Sequence, residues 1–264
     1  MRKEWIEILL DAVYEASEKI MAIYQTNFDV ELKDDRSPVT LADKESSQII
    51  LKHLSKTKLL VISEEEIKPT FEKRKNAEYV WLVDPLDGTR EFVRKNGEFC
   101  INIALIKNNK PIFGMIASPT SKKIIFGGKK FGAFYIDYFE KKILDKKFEI
   151  KTILPKKTKG LVYSRSHFTP GVSKLINQLE NKYGTLEITK KGSALKFFDL
   201  VLSGAHFYPR MAPTMEWDIA AGQAIYESIG GEVLDFTNFE PLVYNKASLI
   251  NPNFIAKPKD LSLN

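Results

Sequence analysis

The sequence predicts a mixed α/β protein, and three observations support this fold class. Apolar residues recur at spacings of three and four in some segments and form short continuous runs in others, as in amphipathic helices and buried strands. Predicted strands cluster in the first half of the chain, whereas strands and helices alternate in the second half. The chain has 264 residues, 44% of them apolar, which is enough for a sizeable core without disulfide or metal cross-links.

The first half opens with two predicted helices. In residues 3–24 the apolar positions are spaced by threes and fours. Pro38 favours extended chain, and the pair Thr40 and Asp43 has the form of a helix cap before a second helix over 41–54. Short apolar runs separated by turn residues then predict strands, the last four antiparallel, at 59–62, 79–83, 100–106, 111–118, 123–128 and 132–136.

A lysine-rich stretch over 137–158 has no strong pattern, and we place a soft domain boundary there. The division predicts an N-terminal α+β domain over 1–152, carrying most of the candidate metal ligands, and a C-terminal α/β domain over 153–264. Gly204 and Gly230 are typical residues for closing helices. In this second half we predict helices over 171–182, 193–204 and 217–229 and strands over 160–164, 186–190, 206–210 and, as the last strong one, 232–235.

The composition excludes several classes of protein. Charged residues make up 28% of the chain, as in soluble globular proteins rather than disordered ones. A single cysteine, Cys100, excludes an internal disulfide framework and a thiolate zinc site, and the three histidines have no metal-ligand spacing. No apolar run approaches the roughly 18 residues of a spanning helix, and acidic residues interrupt the N-terminal apolar segment, so we expect a cytoplasmic protein.

The formal net charge of +6 has two interpretations. Much of it comes from short lysine runs, which are consistent with a solvated surface. The alternative is attraction of anionic partners, ranging from a small anionic substrate to nucleic acid or the inner membrane surface. No helix-turn-helix, zinc-finger or RNP-type pattern accompanies the lysines, so we expect no nucleic-acid duplex as a partner. The oligomeric state is left open.

The strongest chemical signal is the segment WLVDPLDGTREF at 81–92, in which a buried strand delivers Asp84 and Asp87. Gly88 permits a tight turn, and a helix opening at Thr89 would make the backbone amides of both residues an anion cradle. Carboxylates beside a phosphate require a hard cation, and Mg²⁺ prefers oxygen ligands. Because D-P-x-D-G is also ordinary β-turn chemistry, this segment alone leaves both interpretations open.

Other acidic residues also lie at predicted element boundaries. Glu64 follows one predicted strand as Asp84 follows the next, so strands that end together would bring the two carboxylates close; a solvated acidic loop is the alternative. Asp218 and Asp43 lie at helix starts, where capping alone would explain them. Gathered together, these carboxylates would form a site of the kind in which two-metal hydrolases hold ions ~3.5–4 Å apart.

Four segments resemble motifs of the inositol monophosphatase superfamily of lithium-sensitive, magnesium-dependent phosphatases. They are SPVTLADKES, VISEEE, WLVDPLDGTREFVRKNGEFCINIALI and EWDIAAGQAIYESIGGEV, and the resemblance extends over about residues 3–250. Within the family, GSALKF (192–197), YPR (208–210) and PTMEWD (213–218) are most similar to the CysQ-type 3'(2'),5'-bisphosphate nucleotidases. The resemblance implies a layered α/β/α/β/α sandwich.

The resemblance also implies a set of metal ligands. Glu64, Asp84, Asp87 and the carbonyl of Leu86 would bind the first metals, and Asp218 would be the far ligand of the second. The implied cofactor is Mg²⁺, with two or three ions in the site and with Mn²⁺ able to substitute.

Catalytic and substrate-binding roles follow from the same resemblance. Thr89, paired with Asp43, would orient and deprotonate the attacking water, which Glu64 supports through the metal. Gly88 and Thr89 would bind phosphate through their amides, and Ser193 with two cations would lie near the nucleotide. The full set of implied substrate contacts is Glu64, Leu86, Asp87, Gly88, Thr89, Ser193, Lys196, Arg210 and Asp218.

The implied activity is hydrolysis of the 3'-phosphate of adenosine 3',5'-bisphosphate, giving AMP and phosphate. An inositol-1-phosphate or other sugar monophosphatase on the same scaffold is the alternative, and we expect residues 193–218 to decide between them. A non-catalytic, basic nucleic-acid-binding protein is a more remote alternative. We expect Cys100 to be a packed thiol, His206 to be structural and Phe197 and Phe198 to belong to the core.

Overall fold

The computed structural model describes residues 2–33, 37–137, 148–153 and 158–263, and its first half forms a sheet covered by two long helices. The sheet has seven strands in chain order: β3 (Leu60–Ser63), β4 (Tyr79–Asp87), β5 (Cys100–Lys107), β6 (Lys110–Ser118), β7 (Lys123–Gly128), β8 (Gly132–Asp137) and β9 (Phe148–Ile150). Strands β3 and β4 are parallel, and each later pair is antiparallel. The predicted run of antiparallel strands is therefore confirmed.

The covering helices are α1 (Lys3–Tyr24) and α2 (Leu41–Leu54), as predicted. The side chain of Thr40 accepts a hydrogen bond from the amide of Ala42, and the Asp43 carboxylate accepts one from the amide of Thr40, so the capping pair starts α2. Shorter elements complete this half: β1 (Val30–Leu32), β2 (Pro38–Thr40), a 3₁₀ turn (Ser55–Thr57), α3 (Phe71–Arg74) and α4 (Thr89–Val93).

The second half forms a five-stranded sheet in the order β11-β10-β12-β16-β14. Its strands are β10 (Gly160–Ser164), β11 (Glu187–Lys191), β12 (Ala205–Arg210), β14 (Gly231–Asp235) and β16 (Phe254–Pro258). Its helices are α5 (Pro170–Tyr183), α6 (Lys196–Phe198) and α7 (Glu216–Ser228), and β13 (Thr214–Met215) pairs with β15 (Ile250–Asn251).

Alternation of side chains along the strands produces five layers. In β4, Trp81 and Val83 pack toward α1 and α2, whereas Val80 and Leu82 pack into a second cluster shared with α7 and the five-stranded sheet. Helix α5 covers the outer face of that smaller sheet. The order of layers is helix, sheet, helix, sheet, helix, which confirms the predicted sandwich. The division into domains at 152 stays a prediction.

The prediction of one regular helix over 193–204 is wrong, because the first turn is not helical and the rest is only partly α-helix. Ser193 has a left-handed backbone with φ 44°, α-helix spans only Lys196–Phe198, and the next five residues form a π-helical turn. The amide of Ala194 binds a carboxylate instead of opening a regular helix. Gly204 closes the turn in a left-handed conformation with φ 70°, as predicted.

The strand predicted as the last one is not the last. Residues 254–258 form β16, which lies between β12 and β14 in the five-stranded sheet. Its apolar run is only Phe254 to Ala256, too short to stand out from periodicity alone. Among the described residues, no helix is long and apolar enough to cross a membrane.

Close packing of α7 on β6 gives a test of the central layer. A Cβ atom added at Gly114 would lie 2.6 Å from Cα of Ala221, so backbone must move to admit it. We expect Gly114→Ala to lower the free energy of unfolding by about 1–3 kcal/mol. The matched control is Gly171→Ala in α5, where the new methyl group faces only the flexible end of Met211. If urea denaturation gives the two variants the same free energy of unfolding, the close packing of α7 on β6 is contradicted.

Candidate active site

The parallel pairing of β3 and β4 brings two predicted ligands to one edge of the large sheet. Ser63 is the register partner of Val83, and the amide of Glu64 donates to the Val83 carbonyl at 3.1 Å. Glu64 and Asp84 therefore leave neighbouring strands at the same level. The pairing of the two strands ends at Ser63 and Val83, which brings Glu64 close to Asp84 as expected, but β4 itself continues along β5 to Asp87.

A third carboxylate reaches this point from the second half of the chain. One oxygen of each of Glu64, Asp84 and Asp218 lies within 4.8 Å of the others. Asp218 also accepts a hydrogen bond from the Met215 amide at 2.9 Å. Asp218 therefore both caps α7 and belongs to the acidic cluster. The interpretation of this residue as a helix cap and its interpretation as part of an acidic site do not exclude each other.

The segment after Asp84 is a tight turn that also lines the site. Asp84 accepts a hydrogen bond from the Leu86 amide at 3.0 Å, and pairing with β5 is irregular between Asp84 and Asp87. Gly88 has φ 96°, a conformation that favours glycine, and α4 begins at Thr89. The helix expected after Asp87 is present, and Leu86, Asp87, Gly88 and Thr89 line one cavity with the acidic cluster.

Thr89 and Asp43, whose side chains are hydrogen-bonded to each other, lie beside the acidic cluster. The Thr89 hydroxyl donates to Asp43 at 2.8 Å, while the other oxygen of Asp43 accepts from the amide and hydroxyl of Thr40 at 2.8 and 2.6 Å. Asp43 thus serves both as helix cap and as partner of Thr89. Burial raises the pKa of Asp43, although its hydrogen bonds from Thr40 and Thr89 oppose that shift.

The acidic cluster is electrostatically strained without a cation. Burial, followed by the charge of Glu64, raises the pKa of Asp84 well above its usual range. Burial and then the charge of Asp87 do the same for the pKa of Asp218. Lys33 partly compensates, since its Nζ lies 2.9 Å from Glu64 and 2.5 Å from Glu65. The donors are all oxygen atoms, so the group fits a hard divalent cation.

Two cations line the same cavity as the acidic cluster. Lys196 is buried and lies 5.1 Å from the Tyr208 ring centre, and burial lowers its pKa to about 8 while Asp87 opposes the shift. The guanidinium of Arg210 donates to the carbonyls of Ala212 and Pro213 at 3.2 and 3.1 Å. Both cations predicted to contact substrate therefore face the cavity, as does Ser193.

Sequence reasoning missed several residues of the cavity. His167 lies near Lys196, Arg210 and Arg90; burial and then the charges of these three lower its pKa to about 4, so its imidazole is neutral at pH 7. The indole of Trp217 donates to Glu64 at 3.2 Å. The only sequence signal for His167 is its position just after the strand over 160–164, and that strand ends near the acidic site only in the folded chain.

Residues predicted to be structural take structural positions. Cys100 is fully buried, with its sulfur 3.4 Å from the side-chain oxygen of Asn102. His206 accepts a hydrogen bond from the Gly160 amide at 3.1 Å, and Phe197 and Phe198 are core residues. These three predictions are confirmed.

Comparison with known sequences gives a consistent result. The family described as Inositol monophosphatase family matches residues 1–262. The chain is 36% identical over 243 residues to the 3'(2'),5'-bisphosphate nucleotidase CysQ of Escherichia coli K12, covering 90% of this chain and 94% of that protein. It is 39% identical to the protein of that name from Buchnera aphidicola, covering 90% and 87%.

Solved structures show the same similarity. The crystal structure of CysQ from Bacteroides thetaiotaomicron, described as a bacterial member of the inositol monophosphatase family, superimposes with a TM-score of 0.87 at 37% identity and covers 97% of both chains. The extragenic suppressor protein suhB of Bartonella henselae has a TM-score of 0.75 at 22% identity, covering 97% of this chain and 95% of that one, which shows the shared fold.

Charge repulsion in the acidic cluster predicts the behaviour of an Asp84→Asn variant. The asparagine can still accept the Leu86 hydrogen bond but removes one buried charge, so the metal-free protein should be as stable as wild type or more stable. The increase in melting temperature that Mg²⁺ gives wild type should be largely lost. Thermal denaturation in EDTA and in Mg²⁺ measures both effects. If the variant is unfolded in EDTA, the role of Asp84 is to stabilise the turn and not to bind metal.

Proposed function

Because the chain belongs to the inositol monophosphatase family, we propose that it is a magnesium-dependent phosphatase that converts adenosine 3',5'-bisphosphate to AMP and phosphate. One observation carries the proposal: the carboxylate cluster and two buried cations, Lys196 and Arg210, line a single cavity. A substrate with two phosphates can place one at the carboxylates, where a metal would bind, and the other at these cations. The nucleotidase names of the similar sequences support this substrate class.

The proposed metal ligands are the carboxylates of Glu64, Asp84, Asp87 and Asp218 with the carbonyl of Leu86. Their oxygen-only chemistry fits two or three Mg²⁺ ions, with Mn²⁺ as a substitute. When bound, Mg²⁺ supplies positive charge to the phosphate oxygens and lowers the pKa of water. Oxygens of Glu64, Asp84 and Asp218 already lie within 4.8 Å of one another. Asp87 is not part of this cluster, and one of its oxygens accepts hydrogen bonds from the Asn102 side chain and the Ala194 amide.

Thr89 and Asp43 would carry the proton of the attacking water. The Thr89 hydroxyl already donates its hydrogen to Asp43, so its oxygen lone pairs remain available to accept a hydrogen bond from water. As that water loses its proton to Thr89, the Thr89 proton passes to Asp43. Burial makes Asp43 a stronger base than an ordinary aspartate, and Thr40 holds it in place.

The remaining groups would hold the two phosphates of the substrate. The amides of Gly88 and Thr89, residues that line the cavity with the carboxylate cluster, would bind the reacting phosphate. Lys196 and Arg210, which line the same cavity with Ser193, would bind the 5'-phosphate. Arg210 is fixed by two backbone carbonyls, which limits the entropy it loses when it binds an anion.

Water activation is tested by removing its two proton-carrying side chains. Thr89→Ala keeps the backbone amide but loses the hydroxyl, so turnover should fall roughly 10²–10⁴-fold with little change in KM. Asp43→Ala should have a similar effect, and the double variant should be no slower than the slower single variant. Steady-state phosphate release measures all three. Losses that multiply in the double variant would assign Asp43 to helix capping alone.

Substrate choice is tested at the cationic side of the cavity. A hydrogen bond to a charged group contributes about 1.5–3 kcal/mol, so Lys196→Ala and Arg210→Ala should raise KM for adenosine 3',5'-bisphosphate roughly tenfold to a hundredfold. KM for inositol-1-phosphate should change much less. Lys174→Ala, an exposed lysine on α5, is the control. Equal effects on both esters, or a wild-type preference for the inositol ester, would favour a sugar monophosphatase.

A further inference from the structure

An ion pair outside the catalytic groups crosses between the two halves of the chain beside the cavity. The guanidinium of Arg165 donates from Nε and Nη2 to the two carboxylate oxygens of Glu98, at 2.6 and 2.5 Å. The same carboxylate also accepts a hydrogen bond from the Gly192 amide at 2.7 Å. Glu98 comes from the segment between α4 and β5, and both of its partners come from the second half of the chain.

Arg165 belongs to a short loop segment, residues 164–168, that borders the cavity. Ser164, Ser166 and His167 line the cavity, whereas Arg165 reaches Glu98, and Ser166 also donates to Glu91 at 2.8 Å. The loop is thus attached to two carboxylates of the first half. Within the loop, Ser164 Oγ and His167 Nδ1 lie 3.2 Å apart, and the Arg165 amide donates to the Lys191 carbonyl at 3.1 Å.

Glu98 also fixes the second cavity loop, at residues 192–194. The amides on either side of Ser193 are both held by carboxylates: Gly192 by Glu98 at 2.7 Å and Ala194 by Asp87 at 2.6 Å. Ser193 lies between them with a left-handed backbone, a conformation that a serine rarely adopts without such restraint. A Cβ atom at Gly192 would lie 2.9 Å from the Glu98 carbonyl, so the approach requires glycine.

From these contacts we propose that Glu98, paired with Arg165, is a positioning residue that holds both substrate-side loops against the metal-binding half. The inference rests on the proposed function only in the identity of the substrate. A bidentate charged pair is geometrically specific, and it is partly shielded, with 20% of the Glu98 side chain exposed and 32% of that of Arg165. One carboxylate therefore sets the place of His167 and Ser193 at once.

The first test compares two substrates in Glu98→Ala, with Glu98→Gln as the milder variant if the first folds poorly. Misplaced loops should raise KM for adenosine 3',5'-bisphosphate about tenfold to a hundredfold. Para-nitrophenyl phosphate lacks a second phosphate. The loss of kcat/KM for this ester should therefore be at least tenfold smaller than the loss of kcat/KM for the bisphosphate. The control is Glu232→Gln, since the Glu232–Lys257 pair is similarly shielded but lies on β14 and β16, away from the cavity. No change, or equal losses on both substrates, overturns the proposal.

The second test needs no substrate and so separates this proposal from the proposed function. An NMR titration of His167, assigned with His167→Gln, should give a pKa of about 4 in wild type, because partial burial and then the charges of Arg210, Arg90 and Lys196 lower it. If Glu98→Gln releases the loop, the pKa should rise toward 6.5. If the substitution removed the negative charge of Glu98 but left the loop in place, the pKa of His167 would instead fall. A pKa that is unchanged or lower in a folded variant overturns the positioning role, even if the nucleotidase activity is confirmed.

Discussion

Repulsion among buried carboxylates is the constraint on which the rest of the site depends. Glu64, Asp84 and Asp218 bring oxygen atoms within 4.8 Å of one another, although Asp84 is buried and the other two are half-buried. Such an arrangement is unfavourable unless a cation neutralises it. The sheet, the turn after β4 and the start of α7 are rigid elements that hold this geometry against the repulsion.

The two cations of the cavity, Lys196 and Arg210, form no ion pair with a carboxylate among the described residues, although the charge of Asp87 acts on Lys196. Direct pairing would make them compete with the metal for the carboxylates. Instead, Arg210 is bound by backbone carbonyls, and Lys196 donates to the carbonyls of Lys191 and Ser193. The cavity can therefore accept a ligand that carries more than one negatively charged group, which is the property that distinguishes a bisphosphate from a simple ester.

Much of this arrangement could be predicted from the sequence because it depends on local pattern. The apolar run in β4 is long and buried on both faces, and Glu64 and Asp84 follow neighbouring parallel strands, so their convergence follows from the geometry of a sheet. The capping pair Thr40 and Asp43 likewise marks the start of α2. These features require no knowledge of distant contacts.

The features that sequence reasoning missed depend on tertiary contacts. The left-handed backbone of Ser193 is held by Glu98 and Asp87, which are far from it in the chain, and periodicity there suggested a helix. The approach of His167 to the cavity depends on the Glu98–Arg165 pair, for which neither residue has a local signal. Strand β16 is recognisable only from its neighbours in the sheet.

The central claim is that water attacks one phosphate beside the carboxylate cluster while Lys196 and Arg210 hold the other. The most direct measurement is the identity of the nucleoside product when wild-type protein and Mg²⁺ act on adenosine 3',5'-bisphosphate, read by ³¹P NMR. The account predicts that 5'-AMP and inorganic phosphate accumulate in equal amounts. Accumulation of adenosine 3'-monophosphate, or no consumption of the bisphosphate, would contradict it.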